Sequence, residues 1–299
     1  MSKSVAKHIT LKQVLADTVG DYLMLIKMRL TSLVVFTALA SYLIASGLSF
    51  TGIDLLLLAI GGFGVAGASN ALNQVLEKDY DILMTRTKDR PIASGRMTMS
   101  HGVMFAGFLC MMGITALAVF NVLTAFLGML AFVTYAFIYT PLKRYSSAAV
   151  FVGAIAGAMP MLIGVVAFTG SMTWLAIALF AIQFAWQYPH FWAIGFLGFE
   201  DYKNAGFKFV PTSGGKADHG IAISSIAYAV ALIAIGVVMG VQGMIGVMAT
   251  VLMVVLGFSY LYYAIQFYKE FDMASAKRLM FSSLLYIPIV MLVLIIDKI

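Results

Sequence analysis

The chain has 299 residues, of which 62% are hydrophobic and 11% are charged, and its formal net charge is +6 at pH 7. Six stretches contain no Asp, Glu, Lys or Arg: 30–53, 55–76, 97–142, 145–199, 219–268 and 279–296. A helix needs about 20 apolar residues to cross a bilayer. The composition therefore excludes a soluble protein, whose outer helices would carry polar faces.

The uncharged stretches predict nine membrane-spanning helices. Each of the three shorter stretches holds one span, and each of the three longer stretches holds two, separated by a turn near 120–121, 169–171 or 242–243. Inside a membrane the backbone must satisfy its own hydrogen bonds, which favours helices where no alternating strand pattern is present. We expect one all-α, polytopic membrane domain over residues 1–299.

Basic residues lie on one side of the predicted membrane. Every Lys and Arg except Lys298 falls before the first span or after an even-numbered span. The positive-inside rule makes that side cytoplasmic. The N-terminal segment 1–28 is therefore predicted to be cytoplasmic and Ile299 to end outside. The positive net charge follows from this topology and requires no nucleic-acid partner.

The N-terminus and the cysteine content indicate a cellular location. The first 20 residues contain no secretory hydrophobic region, and Asp17 and Asp21 are unlike a transit peptide. Cys110 is the only cysteine of the sequence and lies in the third predicted span, which excludes a disulfide framework. These features favour the inner membrane of a bacterium.

The first polar cluster follows the second predicted span, in the segment NQVLEKDYDILMTRTKDRP. Asn73, Glu77 and Asp81 are four residues apart, so a helix that continued past its apolar part would place them on one face. Their oxygens suit Mg²⁺, which also binds substrate phosphates. Arg86 and Arg90 follow and can donate paired hydrogen bonds to phosphate oxygens. The segment predicts a magnesium diphosphate site; a solvated loop with loosely paired charges is the alternative.

A second polar cluster follows the sixth predicted span, where WQYPHFW leads into FEDYKNAGFKFVP. His190 is the only histidine of that span. It is compatible with an interfacial polar residue, a haem or metal ligand, or a proton carrier beside a large flat substrate. Glu200 and Asp201 follow, and either carboxylate can complete a metal site.

Two long polar loops are expected on the cytoplasmic side: the first long loop, about 77–98, and the second long loop, about 198–218. Long ordered loops are commonly functional. A third patch, YTPLKR, lies on the same side and contains Lys143. The positive-inside rule accounts for this lysine by itself, but its position makes it a candidate phosphate ligand. We expect an active-site cavity that opens toward the two loops.

These segments resemble the UbiA-type intramembrane prenyltransferases, in which N-x-x-x-E/D-x-x-x-D precedes R-T-x-x-R-P. Within that superfamily, LNQVLEKDYDILMTRTKDRPIASGR, YTPLKR, GAIAGAMPMLIG and WQYPHFWAIGF are similar to the protohaem IX farnesyltransferase (haem O synthase) branch. The resemblance covers nearly the whole chain. It departs at Met28 and Met161, where the family usually has proline, and its second metal motif is reduced to Glu200 and Asp201 with Asn204 nearby.

The resemblance implies transfer of a farnesyl group from farnesyl diphosphate to a vinyl group of haem b, followed by addition of water to give haem O. The residues that it implies for catalysis and for binding Mg²⁺ are Asn73, Glu77, Asp81 and Asp201. Those implied for the diphosphate are Arg86, Arg90, Lys143 and Tyr139. Those expected at the haem are His190, Lys27 and Arg29. A haem A synthase or a terminal oxidase is an expected protein partner.

Two other functions agree with parts of the sequence. A prenyltransferase of the same superfamily could act on an aromatic quinone precursor, although that substrate gives no reason for the W-Q-x-P-H-F segment. A transporter of an anionic metabolite would need charged groups deep within several spans. The middles of the predicted spans are uncharged, which favours the enzyme.

Overall fold

The uncharged stretches of the sequence are helical in the computed structural model, which describes residues 11–47 and 49–298. The predicted opposite locations of residues 1–10 and of Ile299 fall outside this described part. Within it, thirteen α-helices and one small hairpin are present. Eight helical segments of the described chain are long and apolar enough to cross a membrane. The protein is therefore an all-helical, multi-pass membrane protein.

In the first half of the chain the helices are α1 (Leu11–Leu25), α2 (Met28–Ser46), α3 (Gly52–Leu76), α4 (Lys78–Asp81), α5 (Met99–Ala118), α6 (Val122–Val133) and α7 (Thr140–Leu142). A π-helical segment, Thr134–Tyr139, joins α6 to α7 so that the three form one span. Side chains define several helix starts. At α3, Thr51 and Asp54 each accept a hydrogen bond from the other's backbone N–H, which is a capping box.

In the second half the elements are α8 (Ala149–Thr169), α9 (Trp174–Leu197), α10 (Phe199–Asn204), β1 (Thr212–Ser213), β2 (Lys216–Ala217), α11 (Gly220–Val241), α12 (Val247–Glu270) and α13 (Met273–Lys298). Strands β1 and β2 pair antiparallel, with Thr212 opposite Ala217. Gly214 and Gly215 between them both have positive φ, as a tight hairpin turn requires. The sequence analysis missed this hairpin because two residues per strand are too few for a detectable alternation.

The helices pack around α8, the most buried of the eight candidate spans. It contacts α2, α6 and α9, and 72% of its apolar window is buried. Small residues allow this close approach. A Cβ atom on Gly164 would lie 2.1 Å from the Ala38 carbonyl oxygen of α2. Helices α3 and α5 also pack closely, since a Cβ atom on Gly64 would lie 2.5 Å from the Gly113 Cα atom.

Helix α9 accounts for the difference between nine predicted spans and eight candidate spans. It has 24 residues, but it carries Gln183, Gln187 and His190 in its middle and second half. It packs against α8, α11 and α13. Polar side chains on a helix surrounded by other helices avoid the hydrocarbon layer.

The two long loops meet at the same end of the bundle. The first contains α4 and a series of turns, and the second contains α10 and the hairpin. The Arg86 guanidinium donates a hydrogen bond to the Tyr202 hydroxyl at 3.2 Å. The Lys208 backbone N–H donates to the Lys143 carbonyl oxygen at 3.0 Å. These contacts bring the first long loop, the second long loop and the end of α7 together.

Candidate active site

The end of α3 carries the predicted metal-binding oxygens into the protein interior. The Glu77 N–H donates to the Asn73 carbonyl at 3.0 Å, and the Asp81 N–H donates to the Glu77 carbonyl at 2.8 Å. The helical path therefore continues from α3 into α4, with a change of backbone angles at Glu77. Asn73, Glu77 and Asp81 occupy successive turns and are 1%, 3% and 0% exposed. Carboxylates are this deeply buried only when they are paired or bind a metal.

Asp81 is held by residues of the first long loop. The Arg90 guanidinium donates to both carboxylate oxygens, at 2.8 and 2.7 Å. The Thr87 hydroxyl donates to the Asp81 backbone carbonyl at 2.9 Å. Burial raises the pKa of the Asp81 carboxyl, and the positive charge of Arg90 opposes that shift. The loop thus folds back so that the positive charge of Arg90 compensates the negative charge of a carboxylate that is shielded from water.

Two lysines from distant segments contact the other members of the oxygen set. The Lys27 ammonium donates to Asn73 Oδ1 at 2.9 Å. The Asn73 amide donates in turn to the Thr140 hydroxyl at 3.1 Å, which fixes the orientation of the amide. Lys143, just after α7, forms an ion pair with the Glu77 carboxylate. Each of the three predicted ligands therefore already faces a side-chain cation.

Lys27 occupies the bend between α1 and α2. Its backbone φ is +51°, a left-handed conformation that is uncommon for a residue with a Cβ atom. Burial lowers the pKa of the Lys27 ammonium, and Arg90 and Lys143 lower it further. The sequence analysis predicted Lys27 and Arg29 at the haem. The structure places Lys27 in the polar cluster and leaves Arg29 exposed, so a haem contact stays a prediction.

The YTPLKR segment contributes an arginine with a structural role. The Arg144 guanidinium donates to the Leu76 carbonyl at the end of α3 and lies 4.2 Å from the centre of the Tyr80 ring. It therefore stabilises the carboxyl end of the helix that carries the site. Tyr139 is buried in the same segment, and its ring centre lies 4.9 Å from the Lys143 ammonium.

Positive charge exceeds negative charge in this region. Two buried carboxylates lie among four partly buried cationic side chains, which are Lys27, Arg90, Lys143 and Arg144. The exposed Arg86 adds a fifth cation from the first long loop. Uncompensated positive charge in a partly dehydrated site favours the binding of an anion. A diphosphate carries enough negative charge to balance the cluster.

Asp201 is the predicted ligand that stands apart. It lies in α10 and is partly exposed. Within residues 11–47 and 49–298, no three His, Cys, Asp or Glu side chains come close enough to hold one ion. Mg²⁺ commonly takes one or two carboxylates and completes its shell with waters and substrate phosphates. The oxygens of Asn73, Glu77 and Asp81 therefore fit Mg²⁺, and a contribution from Asp201 stays a prediction.

A cavity of about 280 Å³ lies within the bundle beside this cluster. Asn70, one helical turn before Asn73, lies at its polar end, and apolar side chains of α2, α3, α8, α9 and α13 form most of its wall. Leu30, Leu33 and Leu284 lie at its edge and are 46%, 50% and 41% exposed. The cavity therefore reaches the outer surface of the bundle between α2 and α13, where an apolar chain could enter.

His190 lines the same cavity on α9. Its ring stacks on Trp186, with ring centres 4.9 Å apart and planes 17° apart. Its Nδ1 atom lies 2.7 Å from the Ser283 hydroxyl oxygen of α13. Gln183 and Gln187 also line the cavity. The sequence analysis did not single out Ser283 or the glutamines, although Gln187 belongs to the WQYPHFW segment.

Buried oxygen ligands, surplus cations and an adjoining apolar cavity within a helical bundle define a membrane-embedded enzyme for an anionic substrate with an apolar tail. Residues 34–285 match the profile of the UbiA prenyltransferase family. The chain belongs to this family.

Several relatives are similar to nearly the whole chain. The protoheme IX farnesyltransferase of Christiangramia forsetii is 42% identical over 287 residues, which cover 95% of each chain. That of Flavobacterium psychrophilum is 43% identical over 287 residues, covering 93% of this chain and 94% of the relative. That of Myxococcus xanthus is 36% identical, covering 95% and 97%.

Solved structures share the fold at low sequence identity. A digeranylgeranylglyceryl phosphate synthase superposes with a TM-score of 0.79 at 18% identity, covering 94% of this chain and 99% of that one. A UbiA homologue from Archaeoglobus fulgidus bound to DMAPP and Mg²⁺ superposes with a TM-score of 0.69 at 16% identity, covering 92% and 99%. These similarities establish the helical architecture.

Proposed function

We propose that the protein transfers a farnesyl group from farnesyl diphosphate to a vinyl group of haem b and adds water, which produces haem O. The chain is a UbiA-family prenyltransferase, and its relatives named protoheme IX farnesyltransferase match it at 42% and 43% identity. The observation that carries the proposal is the buried oxygen set of Asn73, Glu77 and Asp81, which faces surplus cations beside an apolar cavity.

The polar cluster assists departure of the diphosphate. Asn73, Glu77 and Asp81 would hold Mg²⁺, which supplies neutralisation of the charge that develops on the leaving group. The UbiA homologue bound to DMAPP and Mg²⁺ supports use of a divalent ion by this fold. Asp201 is the fourth proposed ligand; its position on α10, within the loop that meets Arg86, would require the second long loop to move inward.

Cations around the oxygen set bind the diphosphate itself. Arg86 and Arg90 present guanidinium groups from the first long loop, and each can donate two parallel hydrogen bonds to phosphate oxygens. Lys143 adds a third positive charge from the end of α7, beside Tyr139. Because Arg90 and Lys143 already contact the ligand carboxylates, a small side-chain rotation suffices to reach an incoming substrate.

The cavity accommodates the farnesyl chain. Its apolar wall keeps water away from the allylic cation that forms when the diphosphate leaves. Its opening between α2 and α13 allows a long apolar chain to enter from the lipid side, while the charged end reaches the loops. The haem vinyl group would approach the same carbon from the α9 side of the cavity, where His190 lies.

We also propose the arrangement of the protein in the membrane. Residues 1–299 form one domain with nine spans. One of these spans is α9, whose polar side chains make it less apolar than the other eight. The N-terminus is cytoplasmic, the C-terminus is outside, and the cavity opens toward the two long loops. The one-sided distribution of Lys and Arg and the 24-residue length of α9 support this topology. The expected location is the bacterial inner membrane, and a haem A synthase or terminal oxidase partner stays a prediction.

The choice of acceptor separates this function from its nearest alternative. Membranes containing the protein are incubated with farnesyl diphosphate, Mg²⁺ and either haem b or an aromatic quinone precursor, and both acceptors are examined by mass spectrometry. We expect haem heavier by one farnesyl group and one hydroxyl group, and an unchanged aromatic acid. Prenylation of the aromatic acid alone would replace the proposal by that alternative, and modification of neither acceptor would favour a transporter.

A further inference from the structure

One face of α9 presents hydrogen-bond acceptors to the cavity. Gln183, Gln187 and His190 are four and three residues apart, so they lie within about 60° of one another around the helix, and all three line the cavity. The Gln183 Oε1 atom is buried and has no hydrogen-bond partner among the described residues. A buried acceptor requires a donor, and water is the smallest donor that fits an enclosed site.

Gln187 is an acceptor toward the cavity for a geometric reason. Its amide nitrogen donates to the Ala154 and Gln183 carbonyl oxygens, both at 3.1 Å, so its two N–H groups are occupied. Only the Oε1 atom remains for a ligand. This oxygen sits where a side chain on Gly157 would be, since a Cβ atom there would lie 2.1 Å away. The absence of that side chain makes room for the amide.

The contact with Ser283 favours the tautomer of His190 that carries its proton on Nδ1. The Ser283 hydroxyl donates its single hydrogen to the Met280 carbonyl of its own helix at 2.5 Å. The hydroxyl oxygen therefore accepts at its 2.7 Å contact with His190 Nδ1, and Nδ1–H is the donor. In the neutral ring the lone pair is then on Nε2, which makes no hydrogen bond within the described ranges. His190 is thus a third acceptor.

We propose that His190 is the base that takes a proton from the water added to the farnesylated haem, and that Ser283 is a positioning residue for His190. This inference rests on the proposed haem farnesylation. Gln183, Gln187 and His190 form an acceptor row on α9. In this proposal the acceptor row binds the reacting water.

The terminal vinyl carbon of haem uses its π electrons to bond to C1 of the farnesyl group, and the electrons of the broken C–O bond leave with the diphosphate. The positive charge then lies on the vinyl carbon next to the porphyrin. A lone pair of water forms the new C–O bond, and one water proton moves to His190 Nε2. The other hydrogen stays on the oxygen and completes the hydroxyl group of the product.

The acceptor row orients the water that it binds. Water bound there is held by its hydrogens, so its lone pairs face the cavity where the haem cation forms. The diphosphate site lies on α3 and the loops, whereas the row lies on α9. We therefore expect the haem vinyl group to lie between the allylic carbon and this water.

The test measures how much farnesylated haem lacks the added water. Purified protein, with Mg²⁺, farnesyl diphosphate and haem b, is compared for the wild type, His190→Gln, Ser283→Ala and Ser282→Ala. The last is the matched control, because the Ser282 hydroxyl makes the same kind of bond, to the Leu279 carbonyl at 2.8 Å. Without the base, the haem cation loses a proton from the neighbouring carbon and gives an alkene lighter by one water.

We expect the alkene share of total product to rise about tenfold or more in His190→Gln and Ser283→Ala, in line with the usual size of general-base effects, and to stay at the wild-type level in Ser282→Ala. This share is independent of how much protein folds. A rise in His190→Gln alone would remove the positioning role of Ser283.

Three results would overturn the assignment of His190. An unchanged share in both variants excludes a role in water addition. Complete loss of both products in both variants places the pair in substrate binding. A shifted absorption spectrum of bound haem with an unchanged share makes His190 an iron ligand. If the wild type modifies no haem, the proposed function fails as well, whereas normal wild-type product with an unchanged variant share removes this inference alone.

Discussion

At the scale of single residues, Asp81 shows how the site stabilises a charged group that is buried away from water. A fully buried carboxylate is stable only when its charge is compensated, and removal of one partner of such a pair leaves an uncompensated charge. Arg90 provides two hydrogen bonds to Asp81. In the proposed function, the carboxylate binds the metal and the guanidinium binds the phosphate.

Asp81→Asn should lower the rate of haem O formation by about 100-fold or more, because it removes a proposed metal ligand while keeping the side-chain volume. The rate is measured with saturating substrates, and size-exclusion chromatography checks that the variant is folded. Asp79→Asn is the control, since Asp79 lies in the same short helix but is exposed. A normal rate in Asp81→Asn would remove this residue from the metal site.

A variant at Lys27 distinguishes two binding roles, one at the haem and one at the diphosphate. The sequence predicted Lys27 at the haem, whereas its hydrogen bond to Asn73 places it in the polar cluster, where we propose that the diphosphate binds. We expect Lys27→Met to raise the KM for farnesyl diphosphate about tenfold, equivalent to about 1.4 kcal/mol, without changing that for haem. Lys88→Met, at an exposed position of the first long loop, should change neither constant. A raised KM for haem alone would restore the earlier assignment.

At the scale of helices, the sequence predicted the features that a membrane requires of any spanning helix. Uncharged stretches mark spans because charge is costly in hydrocarbon, and the spacing of Asn73, Glu77 and Asp81 predicted their succession along one helical path. The cations that meet them were less predictable. Lys27 is 46 residues from its partner Asn73, and packing of separate helices decides such a contact. The uncharged stretch 145–199 also predicted α9 as a span, although its polar side chains keep it from being counted among the eight strongly apolar helices.

Helix packing around α8 gives a stability prediction. Gly164→Ala should destabilise the protein by about 1–3 kcal/mol, because the added methyl group would overlap the Ala38 carbonyl oxygen. Gly107→Ala in α5 is the control, since no atom lies within 4 Å of its added Cβ. Thermal unfolding in detergent should show a lower midpoint for the first variant only. Equal midpoints would mean that α2 and α8 do not pack this closely.

At the scale of the whole molecule, the unequal ends of the bundle link topology to function. The two long loops and most of the cations share one end, and the apolar cavity begins there and reaches the side of the bundle. The ionic group and the apolar chain of one substrate can therefore bind in adjoining regions. The distribution of charge predicted this asymmetry from the sequence, but only the folded chain brings the first long loop into contact with the second, through Arg86 and Tyr202.

The proposed orientation can be measured by cysteine labelling. In a Cys110→Ser background, a membrane-impermeant maleimide should label Ser171→Cys in intact cells, because the turn after α8 is expected outside. It should label Ser213→Cys, in the hairpin, only after permeabilisation. Both positions are exposed, so accessibility depends on the side of the membrane. The reverse pattern would contradict the positive-inside assignment.

The most direct test of the central claim is magnesium-dependent farnesylation of haem by the purified protein. Haem b and farnesyl diphosphate are incubated with the protein in lipid nanodiscs, with Mg²⁺ or with EDTA, and the extracted haem is analysed by mass spectrometry. The account predicts haem carrying one farnesyl group and one hydroxyl group when Mg²⁺ is present, and unmodified haem with EDTA. Unmodified haem in both samples, while an active haem O synthase yields product under the same conditions, would contradict it.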